Sequence, residues 1–179
     1  LASIHVGSPL VVAPMDGLGI VGQIERSQAT WMTAVPAMYT ALLARRFTSP
    51  PGRLRVVRSS SAPLTSSAWT ELTRRLDTEV VQSYGMTEAA HQMASTPCRG
   101  SVAVDGNLLG SVGFACGPEV AVLTAPGLRS PVAVGEGELV VRGPSITVGY
   151  LNPPEANADA FVEGWFRTGD LGTIGTDGV

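Results

Sequence analysis

Apolar residues recur along the first half of the chain in two alternating rhythms. Residues 9–14 (PLVVAP) form a short apolar run between prolines, the pattern of a buried strand. Over 17–28, Leu18, Ile20, Val21 and Ile24 fall at helical spacing. Residues 29–35 (ATWMTAV) are rich in β-formers and stop at Pro36. Proline suits a first helical position, so a helix is predicted from Pro36 to about Arg46. It would carry Met38, Leu42 and Leu43 near one face, with Arg45 and Arg46 in its last turn. Residues 48–52 read as a loop and 54–59 (LRVVRS) as the next strand. Thr65 or Ser66 can cap a helix to about Leu76, along which Trp69, Leu72 and Leu76 are spaced three and four apart. Residues 79–83 then make a strand that opens into a turn at Tyr84. This repeated alternation predicts an α/β fold with a mainly parallel sheet flanked by helices.

The pattern changes after Pro97. Glycine becomes frequent and long helical periodicity disappears. Short β-like runs at 120–123, 138–142 and 146–150 are separated by Gly/Pro turns, which predicts a smaller, mostly antiparallel β unit. One short helix is expected over 153–161, with Asn152 as its cap. The expected division is therefore an α/β region over 1–96 and a β-rich region over 97–179.

Composition narrows the function classes. Hydrophobic residues make up 44% of 179 positions, ample for a core. The net charge is −3 and no basic stripe occurs, which disfavours nucleic acid as a partner. No apolar run reaches the roughly 18 residues of a membrane span, and the N-terminal pattern is not that of a signal peptide. Cys98 and Cys116 lack metal-ligand spacing and read as buried or semi-buried free thiols, which suits a reducing cytosol. His5 reads as a helix-end or surface residue. A start at Leu1 and an end in a turn-like Gly178-Val179 read as cut edges, as expected of a piece of a larger protein.

Residues 82–88 (QSYGMTE) carry the densest chemistry. A strand that stops at a glycine offers a ring, a hydroxyl and a carboxylate within five residues. Ligands in open α/β sheets bind where strands end. A ring can cover a base, a hydroxyl can donate to a phosphate, and a carboxylate can hold magnesium. The same residues also suit an ordinary strand-to-helix turn: Tyr84 as a core tyrosine, Thr87 as an N-cap and Glu88 as a solvated first-turn glutamate.

Three further stretches stand beside it: 58–64 (RSSSAPL), 137–151 (GELVVRGPSITVGYL) and 164–172 (GWFRTGDLG). In this order the four resemble the adenylate-forming superfamily of acyl-CoA synthetases, luciferases and peptide-synthetase adenylation domains. The form RGPSITVGYLN looks more like the acyl-CoA synthetases. The resemblance implies ATP, Mg²⁺ and coenzyme A as the small molecules used, with a carboxylic acid as substrate. It implies nucleotide-binding roles for Ser61, Ala62, Pro63, Tyr84, Gly85, Met86, Thr87 and Asp170. Tyr84 would lie against adenine, Thr87 would donate to the α-phosphate, Glu88 would bind magnesium and Asp170 would accept from both ribose hydroxyls. Asp170 also suits a plain turn before Gly172. Trp165 and Arg167 are expected to hold the TGD segment by packing.

The strings MTEAAHQMAS and RSSSAPL are similar to the oxalate–CoA ligase branch, which implies Ser61 and His91 in the acid pocket and a small polar or dicarboxylic substrate. A second carboxylate needs a partner such as His91. No Ser/Thr/Gly-rich phosphate loop and no hinge or catalytic-lysine domain is recognisable, so the chain is expected to be nearly inactive alone. An acyl-AMP ligase loading a carrier protein, and a non-catalytic nucleotide-binding module, are the competing readings.

Overall fold

A computed structural model of the chain describes residues 2–12, 19–47, 50–98, 108–125 and 127–179. The chain forms two compact units, Leu1–Ser59 with Pro63–Val80, and Ser60–Ala62 with Val81–Val179.

The first unit contains α1 (Ala2–His5), α2 (Ile20–Ser27), β1 (Trp31–Ala34), α3 (Pro36–Leu43), β2 (Val56–Ser59), α4 (Ser66–Leu76) and the first two residues of β3 (Glu79–Tyr84). Strands β1 and β2 pair in parallel, from Trp31 opposite Val56 to Ala34 opposite Ser59. Helix α4 forms where its apolar spacing and its cap agree: Thr65 Oγ1 accepts from Ala68 N at 3.2 Å, and Leu72 and Leu76 are buried. They join Ile20, Ile24, Leu42, Val57 and Leu64 in one apolar core.

Tyr39 sits in that core with its ring fully buried, and its hydroxyl donates to Arg58 O at 2.8 Å. Burial pushes this phenol above the usual tyrosine range. Helix α3 ends at Leu43, short of the expected Arg46, so Arg45 and Arg46 lie beyond it. Another arginine takes the end-capping role. Arg75 of α4 donates to Leu43 O and, at 2.6 Å, to Arg45 O, and its guanidinium lies 4.1 Å from the Phe47 ring centroid.

The expected strand at 9–14 is absent over its described residues, 9–12. Residues 9–12 have no strand pairing, and Leu10, Val11 and Val12 are exposed; residues 13 and 14 lie outside the described residues, as does Leu18. An apolar run becomes a strand only where another strand edge takes its backbone hydrogen bonds.

The second unit holds the rest of β3, a 3₁₀ turn (Thr87–Ala89), β4 (Ala94–Ser95), β5 (Phe114–Ala115), β6 (Glu119–Leu123), β7 (Gly135–Arg142), a 3₁₀ turn (Pro154–Ala156), α5 (Asn157–Ala160), β8 (Phe161–Val162) and β9 (Trp165–Ile174). Its pairing is antiparallel: β3 with β4, β4 with β5, and a four-stranded sheet in the order β6-β7-β9-β8. The α/β beginning and antiparallel β-rich continuation match the expected fold class, with parallel pairing seen in β1–β2 of the first unit.

Two local expectations change. Residues 146–150 are not a strand: Gly143 and Gly149 break the run, and Thr147 Oγ1 folds back to accept from Gly149 N at 3.3 Å. Helical structure over 153–161 is a 3₁₀ turn followed by the four-residue α5, and Pro153 rather than Asn152 occupies the cap position.

Replacing Leu72 with Ala is expected to destabilise the protein by about 2–5 kcal/mol in urea unfolding, since the side chain is fully buried. Tyr39→Phe is expected to cost about 1 kcal/mol at neutral pH. The folded state holds the Tyr39 proton more tightly than the unfolded chain, so this group's contribution is complete below about pH 10 and declines as pH rises beyond it. The Phe variant should therefore lose stability less steeply on alkaline titration; an unchanged slope would contradict this role.

Candidate active site

Strand β3 ends at Tyr84, and the chain then folds tightly upon itself. His91 N donates to Met86 O at 2.9 Å and Met93 N to Tyr84 O at 2.9 Å. A Cβ on Gly85 would sit 1.5 Å from His91 O, so only glycine fits at this point of the motif. Thr87 begins the 3₁₀ turn rather than capping it, and its side chain is exposed. Ala89 and Met93 are buried beneath the turn with Val141 and Phe166, and Met86 and Tyr84 pack on this floor.

The loop has unusual backbone. Ala90 (φ 50°) and His91 (φ 82°) occupy the left-handed region, as does Ser61 (φ 71°) in the RSSSAPL segment. Such conformations in residues with a Cβ concentrate at functional segments. The side chains of Ser61, Ala62, Pro63 and His91 are exposed, whereas Ser59 and Ser60 are buried. Of the three serines, only Ser61 therefore offers its side chain to solvent.

Two hydrogen bonds bring distant motif residues together within the second unit. The Tyr84 hydroxyl donates to Asp170 Oδ2 at 2.5 Å. The Tyr150 hydroxyl donates to Glu88 Oε1 at 2.8 Å. Both phenols are pushed above the usual range, Tyr84 chiefly by burial and then by the Asp170 bond, Tyr150 chiefly by its bond to Glu88. Each therefore stays a protonated donor at neutral pH, and an O–H on a carboxylate is a strong, short bond.

Asp170 owes its position to a bulge. On β7, Glu138 pairs with Leu171 and Val140 with Arg167, so Leu139 alone faces Thr168, Gly169 and Asp170 of β9. The extra residues are pushed out of the ladder. Side chains close the gap: Thr168 Oγ1 donates to Leu139 O at 2.8 Å and accepts from Asp170 N at 3.1 Å. Glu138 accepts from Gly169 N at 3.3 Å and pairs with Arg167 at 2.5 Å. Arg142 stacks over Trp165, 4.4 Å from the ring centroid. Arg167 is thus tied to the TGD segment through Glu138, which accepts from both, whereas Trp165 packs against Arg142 on the neighbouring strand. Residues 165–174, over which the sequence pattern predicts no strand, form β9.

Sequence reasoning missed Tyr150 and Asn157. The available signal was the GYL end of the third motif, where an aromatic hydroxyl follows a glycine. Among the described residues Glu88 has one side-chain donor, Tyr150, on Oε1, and no cluster of three or more His, Cys, Asp or Glu could cage a metal ion. That donor set fits Mg²⁺, which binds through one or two carboxylates with phosphates and water completing its shell. A cavity of about 380 Å³ on the β-rich unit is lined by Leu128, Arg129, Phe161 and Leu171 among others, and by none of Tyr84, Thr87, Glu88 or Asp170. Among the described residues no helix is long and apolar enough to cross a membrane.

Known proteins share this arrangement of sequence and fold. The family model described as AMP-binding enzyme matches residues 1–151. The chain is 42% identical to a probable CoA ligase, CCL9, of Humulus lupulus over 84% of this chain and 28% of that protein. It is 39% identical to an oxalate–CoA ligase of Arabidopsis thaliana over 87% of this chain and 30% of the other. Among solved structures, the N-terminal domain of FACL13 from Mycobacterium tuberculosis superposes with a TM-score of 0.84 at 28% identity, covering 98% of this chain and 44% of that one. The O-succinylbenzoate coenzyme A synthetase of Bacillus subtilis, solved with ATP and magnesium, gives 0.79 at 28% identity, covering 98% and 36%. The chain spans about a third of the length of the curated relatives it matches. With a family model covering residues 1–151 of 179, the chain belongs to the AMP-binding enzyme family.

Proposed function

We propose that the protein is an ATP-dependent acid–CoA ligase. It would join a carboxylic acid to AMP with release of pyrophosphate and then pass the acyl group to the thiol of coenzyme A, releasing AMP. The observation that carries this reading is the convergence of Glu88 and Asp170, each on a phenol donor, around one turn of the family motif.

The residues suit the adenylation half. Asp170 is exposed and has one oxygen held by Tyr84, so its charge is presented to a vicinal diol such as ribose. Thr87 offers an exposed hydroxyl to the α-phosphate, where charge grows as the acid oxygen attacks. Tyr84 presents its ring to the base, with Gly85 and Met86 of the motif and Ser61 and Ala62 contributing backbone to the same nucleotide. Glu88 would hold magnesium. When bound, the ion neutralises phosphate charge and stabilises the departing pyrophosphate. The CoA half rests on the similarity to named CoA ligases.

For the acid, we favour a small polar or dicarboxylic substrate. This is supported by the exposed Ser61 and His91 and by the 39% identity to an oxalate–CoA ligase. An imidazole beside the acid pocket offers a donor to a second carboxylate, which an apolar tunnel does not.

Acid-dependent ATP–pyrophosphate exchange on the full-length protein tests the reading, using oxalate, malonate, acetate, coumarate and a medium-chain fatty acid. Exchange is expected with a dicarboxylate above the others; none with any acid would overturn the ligase assignment. Asp170→Ala should raise the KM for ATP roughly tenfold or more, the loss of one or two charge-assisted hydrogen bonds, with a smaller change in the acid KM. His91→Ala should raise the KM for a dicarboxylate well above its effect on a monocarboxylate. Equal effects on the two acids would remove His91 from the acid site.

A further inference from the structure

The segment that follows β7 is built as a strap over the 3₁₀ turn. Thr147 N donates to the main-chain oxygen of Glu88 at 2.7 Å, while three residues later the Tyr150 hydroxyl reaches the Glu88 carboxylate at 2.8 Å. Glu88 is thus gripped from one segment at both its backbone and its side chain. Tyr150 is in turn fixed on three sides. Its ring lies against Phe166, centroids 6.3 Å apart and tilted 58°, and Phe166 is buried. Its main-chain N donates to Asn157 Oδ1 at 2.7 Å, and its carbonyl accepts from Asn157 Nδ2 at 2.9 Å. The same Nδ2 donates to Pro154 O at 3.0 Å, so the Asn157 amide is held at both ends. A Cβ on Gly149 would come within 2.9 Å of Asn157 Oδ1, which ties the glycine before Tyr150 to this clamp.

We infer that Tyr150 is a positioning residue for Glu88, and that Asn157 acts through Tyr150. The inference rests on the proposed nucleotide site and deepens it. A glutamate has three rotatable side-chain bonds, and a metal that binds it must first collect those rotamers. A phenol on Oε1, itself held by Phe166 and Asn157, restricts those rotamers in the unliganded protein, and Glu88 would then hold the ion at a smaller ordering cost. Partners of this kind, which orient a ligating carboxylate without touching the metal, commonly account for about 10–100-fold in metal affinity. Phenylalanine at 150 keeps the ring on Phe166 and removes only the donor, so the fold is retained. The opposite relationship, in which the phenol competes with the cation for Glu88, has the opposite sign in a binding experiment.

Calorimetric titration of the full-length protein with MgATP and, separately, with ATP in the presence of EDTA distinguishes these. In the wild type MgATP should bind more tightly than metal-free ATP. Tyr150→Phe should raise the Kd for MgATP about tenfold and leave the Kd for metal-free ATP unchanged. Asn157→Ala should shift the MgATP value in the same direction by less. A Tyr150→Phe variant that binds both forms as the wild type does, that weakens both equally, or that binds MgATP more tightly would overturn the positioning role while leaving the nucleotide site intact. Failure of the wild type to bind MgATP at all would overturn the nucleotide site itself, and the positioning role with it.

Discussion

Two phenol-to-carboxylate hydrogen bonds set the geometry on which the rest of the site depends. Tyr84 reaches Asp170 across 86 residues of chain, and Tyr150 reaches Glu88 across 62. An exposed carboxylate on a flexible stem samples many rotamers, and a ligand must collect them on binding. A phenol with a raised pKa is a donor throughout the neutral range, so each bond persists wherever the carboxylate is ionised. The two bonds share one turn, because Tyr84 precedes and Glu88 closes the same five-residue motif. Displacing that turn would disturb the hydrogen bonds of Asp170 and Glu88 together.

Steric and cross-strand constraints hold the turn and the bulge in place. The His91 carbonyl fills the space beside Gly85, so any side chain at 85 would force the loop open. Below, Phe166 packs edge-on against Phe161, centroids 5.3 Å apart, and also supports Tyr150. The next residue along β9, Arg167, points to the opposite face and pairs with Glu138. One strand therefore supports Tyr150 from its apolar face and aims Asp170 through the bulge at its centre. Both functions follow from the alternation of side chains along β9 and the single place where that alternation is broken.

Much of this was legible in the sequence where local signals agree. Helix α4 announces itself because Thr65, the Leu72–Leu76 spacing and the Arg74–Arg75 terminus all favour the same element. Tyr84, Glu88 and Asp170 stand out because their residue types recur in motifs of known order. The unreadable parts are those that another segment decides. PLVVAP has the composition of a strand, yet residues 9–12 have no strand partner. TGDLG has the composition of a turn, yet it lies in β9 because Gly137, Glu138 and Val140 supply the ladder on either side of the bulge. Helix α3 stops before its own arginines, and Arg75, 32 residues beyond Leu43, takes up the carbonyl of its last residue. The Tyr150–Glu88 bond is likewise a property of tertiary contact, to which neither residue's neighbours point.

The central claim, that the phenols order the carboxylates of the proposed nucleotide site, is tested most directly by a double-mutant cycle on MgATP affinity with Tyr84→Phe and Asp170→Ala. If the Tyr84 hydroxyl acts on the nucleotide through Asp170, the second substitution should cost much less once the first is present, with a coupling of roughly 0.5–3 kcal/mol. Strictly additive losses would contradict it.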